Sequence, residues 1–562
     1  MVEAIKKNDV GSGPSQSPFF LFLKYFIDSL ALTIQKVIKM NLFKKTIPLF
    51  PWSGKEPIYE FIRDHIDVSG KLVSEWDDLP DSKEYFQDQK IRWVGGAMDS
   101  LMGGNTKVAN QIARRLYWLL RKQVSKPTDG NRRATYLYVM GHEVIDCIDP
   151  LLDMIRREYS FNGQAFKREA IWLATKSAHR NPVKLGIALL GIFQCEDQLD
   201  LLYTLGKHDE FTLYSVVAIE NGVENHTSCL FELAKHIGGW GKINLIQRLE
   251  PDSEEIKGWL LRNGCQNRIM NEYLAYTCAV KGDLAEALIQ EEIDPDLYKG
   301  AGVIIEALIH GGPAEDMDDY NQSRQVIVDF LRHSKRVASD LDDFLVIASI
   351  KDYLEQQTEK WVKRREAGWS EPIRTATLAE CIEILERELW PGLVWNDISS
   401  QDGFRHYRAI QAGRILNLDI WPTLFEQLKE EPLNDGLYYN VMQTDDPKRI
   451  AQVVEFAENN LPLEDIASGP KDETAFGPEF KAHNCLDYII QELDQYQGMG
   501  KRLISAALWS PSIRNRNMGL KVLKAWKPEH WPDEAKAILI RLETMEPDKE
   551  TKKELIKLLR HK

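Results

Sequence analysis

Apolar residues recur along this chain at spacings of three and four, in short runs that each end near a glycine or a proline, with no alternating segment between them. The stretch from about Ala165 to Asp340 is the clearest, and its pattern predicts helices over 210–221, 225–237, 242–250, 253–263, 270–281 and 283–290. Successive helices begin about every 10 to 18 residues, the spacing of stacked helical pairs of about 30 to 40 residues. The predicted fold class is therefore all-α, an α-solenoid in which each helical pair buries its apolar face against its neighbours.

The same periodicity continues outside that stretch. Residues 107–123 place Val108, Ile112, Leu116, Leu119 and Leu120 on one helical face, and 375–389 reads as a further strong helix. In 509–526, Pro511 and Arg514 precede an apolar stripe through Leu520, Val522 and Leu523, an arrangement that resembles the second helix of a HEAT repeat. The pairs are accordingly expected to be HEAT-like and to resume towards the carboxyl end, where 548–562, polar on one side, suits a terminal cap. Gly206, Gly222, Gly264 and Gly282 stand where helix C-caps are expected. The organisation that follows is an apolar extension at 1–40, a helical module at 41–130, the HEAT-like array at 131–350, a charged linker at 351–374, and a second helical module at 375–562, interrupted by a Gly/Pro loop at 467–478.

A length of 562 residues exceeds one compact core. The net charge of -14 disfavours nucleic acid and anionic membranes as partners, and no basic run stands out against it. Seven cysteines, widely spaced and never in a Cys-x-x-Cys pair, match the usage of a cytoplasmic protein with buried thiols. Among the fifteen tryptophans, Trp172, Trp240 and Trp259 are expected to fill gaps between helices. The apolar segment 19–38 carries Lys24, Asp28, Gln35 and Lys36, and charges near a bilayer centre cost about 2.5–3.5 kcal/mol each, so no stable membrane span is expected. Its reading is a loosely attached amphipathic helix or residues upstream of a start at Met40.

Candidate chemistry is sparse. His142-Glu143 is the sharpest dipeptide. Helical-repeat proteins resembling deoxyhypusine hydroxylase hold two irons with several such pairs, and a site of that kind needs about six converging ligands. One pair is present here, and His208-Asp209 with Glu529-His530 does not complete a set, so His142 is expected at a helix end and no metal ligand is assigned. Gly238-Gly239-Trp240-Gly241-Lys242 suggests a phosphate loop, but His236 and Ile243 occupy positions that need glycine and a hydroxyl residue, which leaves an inter-helix turn. Gly300-Ala301-Gly302 begins a dinucleotide-like run that Ile305 breaks. Glu315, Asp316, Asp318 and Asp319 could hold a divalent cation, although acids preceding a helix are favoured by its dipole. No flavin, haem or metal motif is present, and the residues alone assign no catalytic or cofactor-binding role.

The run Leu205-Gly-Lys-His-Asp-Glu-Phe-Thr-Leu-Tyr214, the tripeptide Gly239-Trp-Gly241, the segments Trp259-Leu-Leu-Arg-Asn-Gly264 and Asn271-Glu-Tyr-Leu-Ala275, and Ile305-Glu-Ala-Leu-Ile-His-Gly-Gly-Pro-Ala-Glu-Asp316 are similar to a bacterial family named limonene hydroxylase. The resemblance covers about Pro182 to Leu354. It implies a monoterpene oxidoreductase that hydroxylates limonene to perillyl alcohol and carveol, with further oxidation of those alcohols linked to NAD or NADP. Hydroxylation of an unactivated carbon needs a redox centre that side chains do not supply. The alternative expectation is a non-catalytic HEAT-like scaffold that binds a protein partner. A deep, enclosed apolar pocket would favour the enzyme, and an exposed side-chain surface the scaffold.

Overall fold

The computed structural model describes residues 50–73, 78–87, 89, 92–102, 106–157, 162–475 and 477–561. The expectations for the extension at 1–40, including the 19–38 helix and a start at Met40, lie outside the described residues. Those residues form an all-α structure, and the β pairing among them is confined to two isolated bridges, Ile66 with Leu72 and Glu473 with Ser512. The chain divides into two compact units. One holds residues 50–65, 78–81 and 106–197, and the other holds 66–73, 82–102 and 198–561.

In the first unit, helix Thr106–Ser125 packs on Asp129–Met140 and Ile148–Arg156, while Gly163–Lys176 packs on Arg180–Leu190. Leu116 and Leu120 are buried as their spacing predicts, whereas Val108 is exposed. Gly186 permits a close helix crossing, because a Cβ there would stand 2.5 Å from the backbone nitrogen of Ala174. Three buried polar groups inside this unit are tied to partners distant in sequence. Arg180 meets Asp81 at 3.0 Å with both side chains buried, and Tyr136 Oη lies 2.7 Å from His179 Nδ1, with Lys55 Nζ 2.9 Å from the other ring nitrogen. Trp172 packs between the ring of Trp52 and the Arg132 guanidinium, as a gap-filling tryptophan should.

The second unit is a succession of short helices in which each packs on near neighbours along the chain. Asp209–Gly222 contacts Trp240–Arg248, Trp240–Arg248 contacts Ala275–Lys281, and Ala275–Lys281 contacts Pro295–His310. The series continues through Leu341–Glu355 to Gly403–Ile415, and again from Asp435–Met442 through Lys481–Ile490 and Ile513–Ala525 to Lys549–His561. Intervening helices form companion contacts, such as Ser323–Val337 with Glu371–Leu385 and Lys501–Leu508 with Ala535–Met545. The starts are written locally: Ser253, Asp294, Asp340, Asn434 and Ser512 each accept a backbone N–H of the first turn, and Asp340 with Asp343 forms a capping box.

Gly206, Gly222, Gly264 and Gly282 stand at helix ends as expected, without a left-handed conformation. Gly206 and Gly222 are the last residues of their helices, Gly264 closes a π-helical turn, and Gly282 stands at a C-cap with φ of −85°. Gly282 is also a close-approach residue, since a Cβ would meet Leu261 Cδ2 at 2.6 Å.

Residues 351–374, expected as a charged linker, comprise the end of Leu341–Glu355, the short helix Trp361–Glu366 and the start of Glu371–Leu385. Arg364 is buried there, so the segment packs through its charge. The loop at 467–478 is pinned too: Gly469 N donates to Trp509 O at 2.8 Å and Ile513 N to Glu473 O at 3.0 Å. Of the seven cysteines, all are free thiols and six are buried.

Candidate functional site

The main sequence candidates, His142, Asp209, Lys242 and Asp318, each have an internal partner. His142 follows helix Asp129–Met140, its Nδ1 lies 2.7 Å from Tyr138 O, and its ring packs on that of Tyr138. The glycine turn before Trp240–Arg248 does receive an anion, but the anion is Asp209. Gly241 N donates to Asp209 Oδ1 at 3.0 Å, Arg268 Nη2 lies 3.3 Å from Oδ2, and a Cβ on Gly239 would overlap that carboxylate. The carboxylate thus neutralises a helix N-terminus. Lys242, on the same turn, caps backbone instead of reaching a phosphate. Its Nζ donates to Asn263 O at 2.7 Å and Gln266 O at 2.5 Å, and burial pushes its ammonium down to about 8.

Gly300 and Gly302 lie within helix Pro295–His310, and Gly300 backs onto the carbonyl of Leu261. That position has no room for a pyrophosphate, so the glycine run does not fit a dinucleotide. Among the described residues, no group of three or more His, Cys, Asp or Glu side chains is arranged to hold a metal ion.

Three members of the acidic run, Asp316, Asp318 and Asp319, are also paired. Arg364 Nε donates to Asp318 Oδ1 at 2.6 Å, Lys360 reaches Asp318 and Asp316, and Lys363 reaches Asp319. Tyr353 donates its hydroxyl to Asp318 at 3.0 Å, and its ring faces the Arg364 guanidinium at 3.6 Å. Hydrogen bonds and cation charge hold the Asp318 and Asp319 carboxyls below the usual range against the opposing cost of burial. These carboxylates anchor the helix Trp361–Glu366.

Clefts in the second unit have charged walls. One of about 560 Å³ is lined by Glu431, Pro432, Leu433, Asn434, Asp435 and Lys481. Another, of about 270 Å³, includes Met442, Thr444, Asp445, Glu492 and Tyr496 in its lining. Neither is an enclosed apolar chamber.

Beside them lies a surface that sequence reasoning missed. Helix Gly403–Ile415 buries Ala409, Ile410, Ala412 and Gly413 and exposes Phe404, Tyr407 and Ile415 on its other side. Along the chain, Asp435–Met442 buries Tyr438 and exposes Tyr439, whose ring lies 5.4 Å from that of Tyr488 on Lys481–Ile490. Arg514 stands over the Tyr488 ring at 5.7 Å. Between the first two helices, Arg414 Nη2 donates to Asn440 Oδ1 at 2.7 Å. Burial lowers the Arg414 guanidinium, opposed by the nearby phenols of Tyr439 and Tyr407.

Neighbouring arginines have carboxylate partners: Arg405 with Asp397, Arg408 with Glu306 and Asp342, Arg449 with Asp419, and Arg514 with Asp487. Arg414 has none among the described residues. The available signal was a helix apolar on two sides, which a one-face reading of amphipathicity passes over. Compared with known proteins, the chain matches no family profile, no curated relative and no solved structure.

Proposed function

We propose that the protein is a binding array that docks a partner polypeptide on the aromatic surface formed by Gly403–Ile415, Asp435–Met442 and Lys481–Ile490. The single observation that carries the reading is Arg414, a guanidinium near the phenols of Tyr407 and Tyr439 whose acceptors are the side-chain and backbone oxygens of Asn440 and not a carboxylate. Exposed tyrosines supply rigid contact area, and a guanidinium pairs a carboxylate in two-point geometry. An acidic segment bearing an apolar or aromatic neighbour is complementary to both. The groups that would serve catalysis elsewhere, among them Asp209, Lys242 and Asp318, are engaged by the fold.

Selection from a displayed random-peptide library tests the reading. Sequences carrying Asp or Glu beside an apolar residue are expected to enrich, and fluorescence anisotropy should find their affinity lowered by roughly tenfold or more in Arg414→Ala and Tyr439→Ala. Enriched peptides without acids, or acidic ones that bind Arg414→Glu equally well, would sink it. The monoterpene oxidoreductase implied by the resemblance rests on its sequence words alone. Its test is product formation from limonene by homogeneous protein, with air and reduced nicotinamide supplied and metal and flavin content known.

A further inference from the structure

Residues 100–128 contain no Asp or Glu, although the chain as a whole carries a net charge of -14. Within them stand Lys107, Arg114, Arg115, Arg121, Lys122 and Lys126. Arg114, Arg115, Arg121 and Lys122 do not appear as a run, because helix Thr106–Ser125 gathers them by its turn. Trp118 is 59% exposed on that helix. Arg114 and Arg115 lie four and three residues before it, and Arg121 and Lys122 three and four after it, so the helical repeat surrounds one exposed indole with four cations. The Arg121 guanidinium stands over the indole at 5.2 Å. Arg114, Arg115 and Lys122 make no ion pair among the described residues, so these three charges are not paired within the fold.

We propose that this face binds the surface of an anionic phospholipid bilayer. A helix with cations around a central tryptophan suits the headgroup boundary, where an indole rests its apolar body among acyl chains and its N–H in water. Each lysine or arginine near such a surface strengthens binding by about fivefold. A lipid surface is favoured over nucleic acid because the cations ring an apolar centre on an outward helix face instead of lining a groove that tracks phosphates.

Sedimentation of the full chain with phosphatidylcholine vesicles, with and without phosphatidylserine, tests this. Binding is expected only with phosphatidylserine, and added salt should weaken it. The combined substitution Arg114→Gln, Arg115→Gln and Lys122→Gln should weaken it by roughly a hundredfold. Trp118→Ser, which leaves every charge in place, should weaken it by about tenfold. All four positions face solvent, and thermal melting confirms that the variants fold. Vesicle binding that is indifferent to phosphatidylserine, or that survives both variants, overturns the proposal. Tighter binding to a polyuridine strand than to the anionic vesicles overturns it in favour of nucleic acid.

Discussion

Arg516 and Glu546 meet in a two-point ion pair, Nε to Oε2 and Nη2 to Oε1 each at 2.7 Å, with both side chains at 0% exposure. The remaining guanidinium hydrogens go to Ser510 O and Pro511 O, both at 2.9 Å, and to Lys471 O at 3.0 Å. One side chain therefore ties helices Ile513–Ala525 and Ala535–Met545 to the loop at 467–478. Removing it strands a buried carboxylate, so Arg516→Ala should destabilise the second unit by about 3–5 kcal/mol. The double substitution Arg516→Met with Glu546→Leu should cost less than that single change. Urea unfolding followed by circular dichroism compares the two, and a double variant weaker than the single one would contradict the account.

Asp487 lies next to this network, accepting from Asn515 Nδ2 at 2.7 Å and meeting Arg514 Nε at 2.9 Å. Burial pushes its carboxyl up to about 6 from an ordinary 3.8, with Arg514 and the Asn515 hydrogen bond opposing. A carboxyl raised on folding holds its proton in the native state at pH values where the unfolded chain has released it. Its contribution is therefore complete below about pH 4 and is lost as pH rises to about 6, over a range of up to about 3 kcal/mol. The difference in melting temperature between the unmodified protein and Asp487→Asn should shift across that window, in favour of the variant as pH rises, and stay level above it. A difference that is flat from pH 4 to 6 would remove the raised carboxyl from the argument.

Helix Trp361–Glu366 has six residues and is too short to hold itself together in water. Arg364 fixes it through Asp318, Tyr353 O at 2.8 Å and Gln356 Oε1 at 2.9 Å. Arg364→Leu should free this helix and cost about 3–5 kcal/mol. Arg364→Lys should recover only part of the loss, since an ammonium cannot span the same acceptors. Hydrogen exchange reads both: protection should fall over 356–370 in each variant and remain at Asp209–Gly222. Unchanged protection at 356–370 would make the ion pairs incidental.

The helices were legible because the spacing that specifies them lies within one or two turns. The predicted 210–221 is found as Asp209–Gly222, and 242–250 as Trp240–Arg248. Partners distant in sequence were not legible. Asp318 finds Arg364 across 46 positions, so the acidic run read as a helix-dipole feature and its cationic partners as a linker. Gly282 reads as a cap from its place at a helix end, yet Leu261, which presses against it, is what leaves no room for a Cβ. The surface at Arg414 was hidden for a related reason: Asn440 and Tyr439 come from another helix, and no pattern within Gly403–Ile415 names them. The cations about Trp118 were hidden by a search for runs, although their spacing of three and four was present in the sequence.

Gly300 and Gly302 separate close approach from helix propensity within one turn of the same helix. A Cβ on Gly300 would stand 2.1 Å from Leu261 O and 2.7 Å from Arg262 Cα, both backbone atoms that cannot swing aside. A Cβ on Gly302 would meet the Phe330 ring at 3.4 Å and Val346 Cγ2 at 3.6 Å, which is ordinary contact. Alanine in a helix interior is better than glycine by about 0.8–1.0 kcal/mol, so Gly302→Ala should be neutral or stabilising by about that amount. Gly300→Ala gains the same propensity but forces Pro295–His310 away from the turn Leu260–Gly264, and should destabilise by about 1–3 kcal/mol or more. Thermal unfolding of the two variants gives the comparison directly. Equal stabilisation by both would mean that Leu261 yields to the new methyl and that packing is not what glycine serves at residue 300.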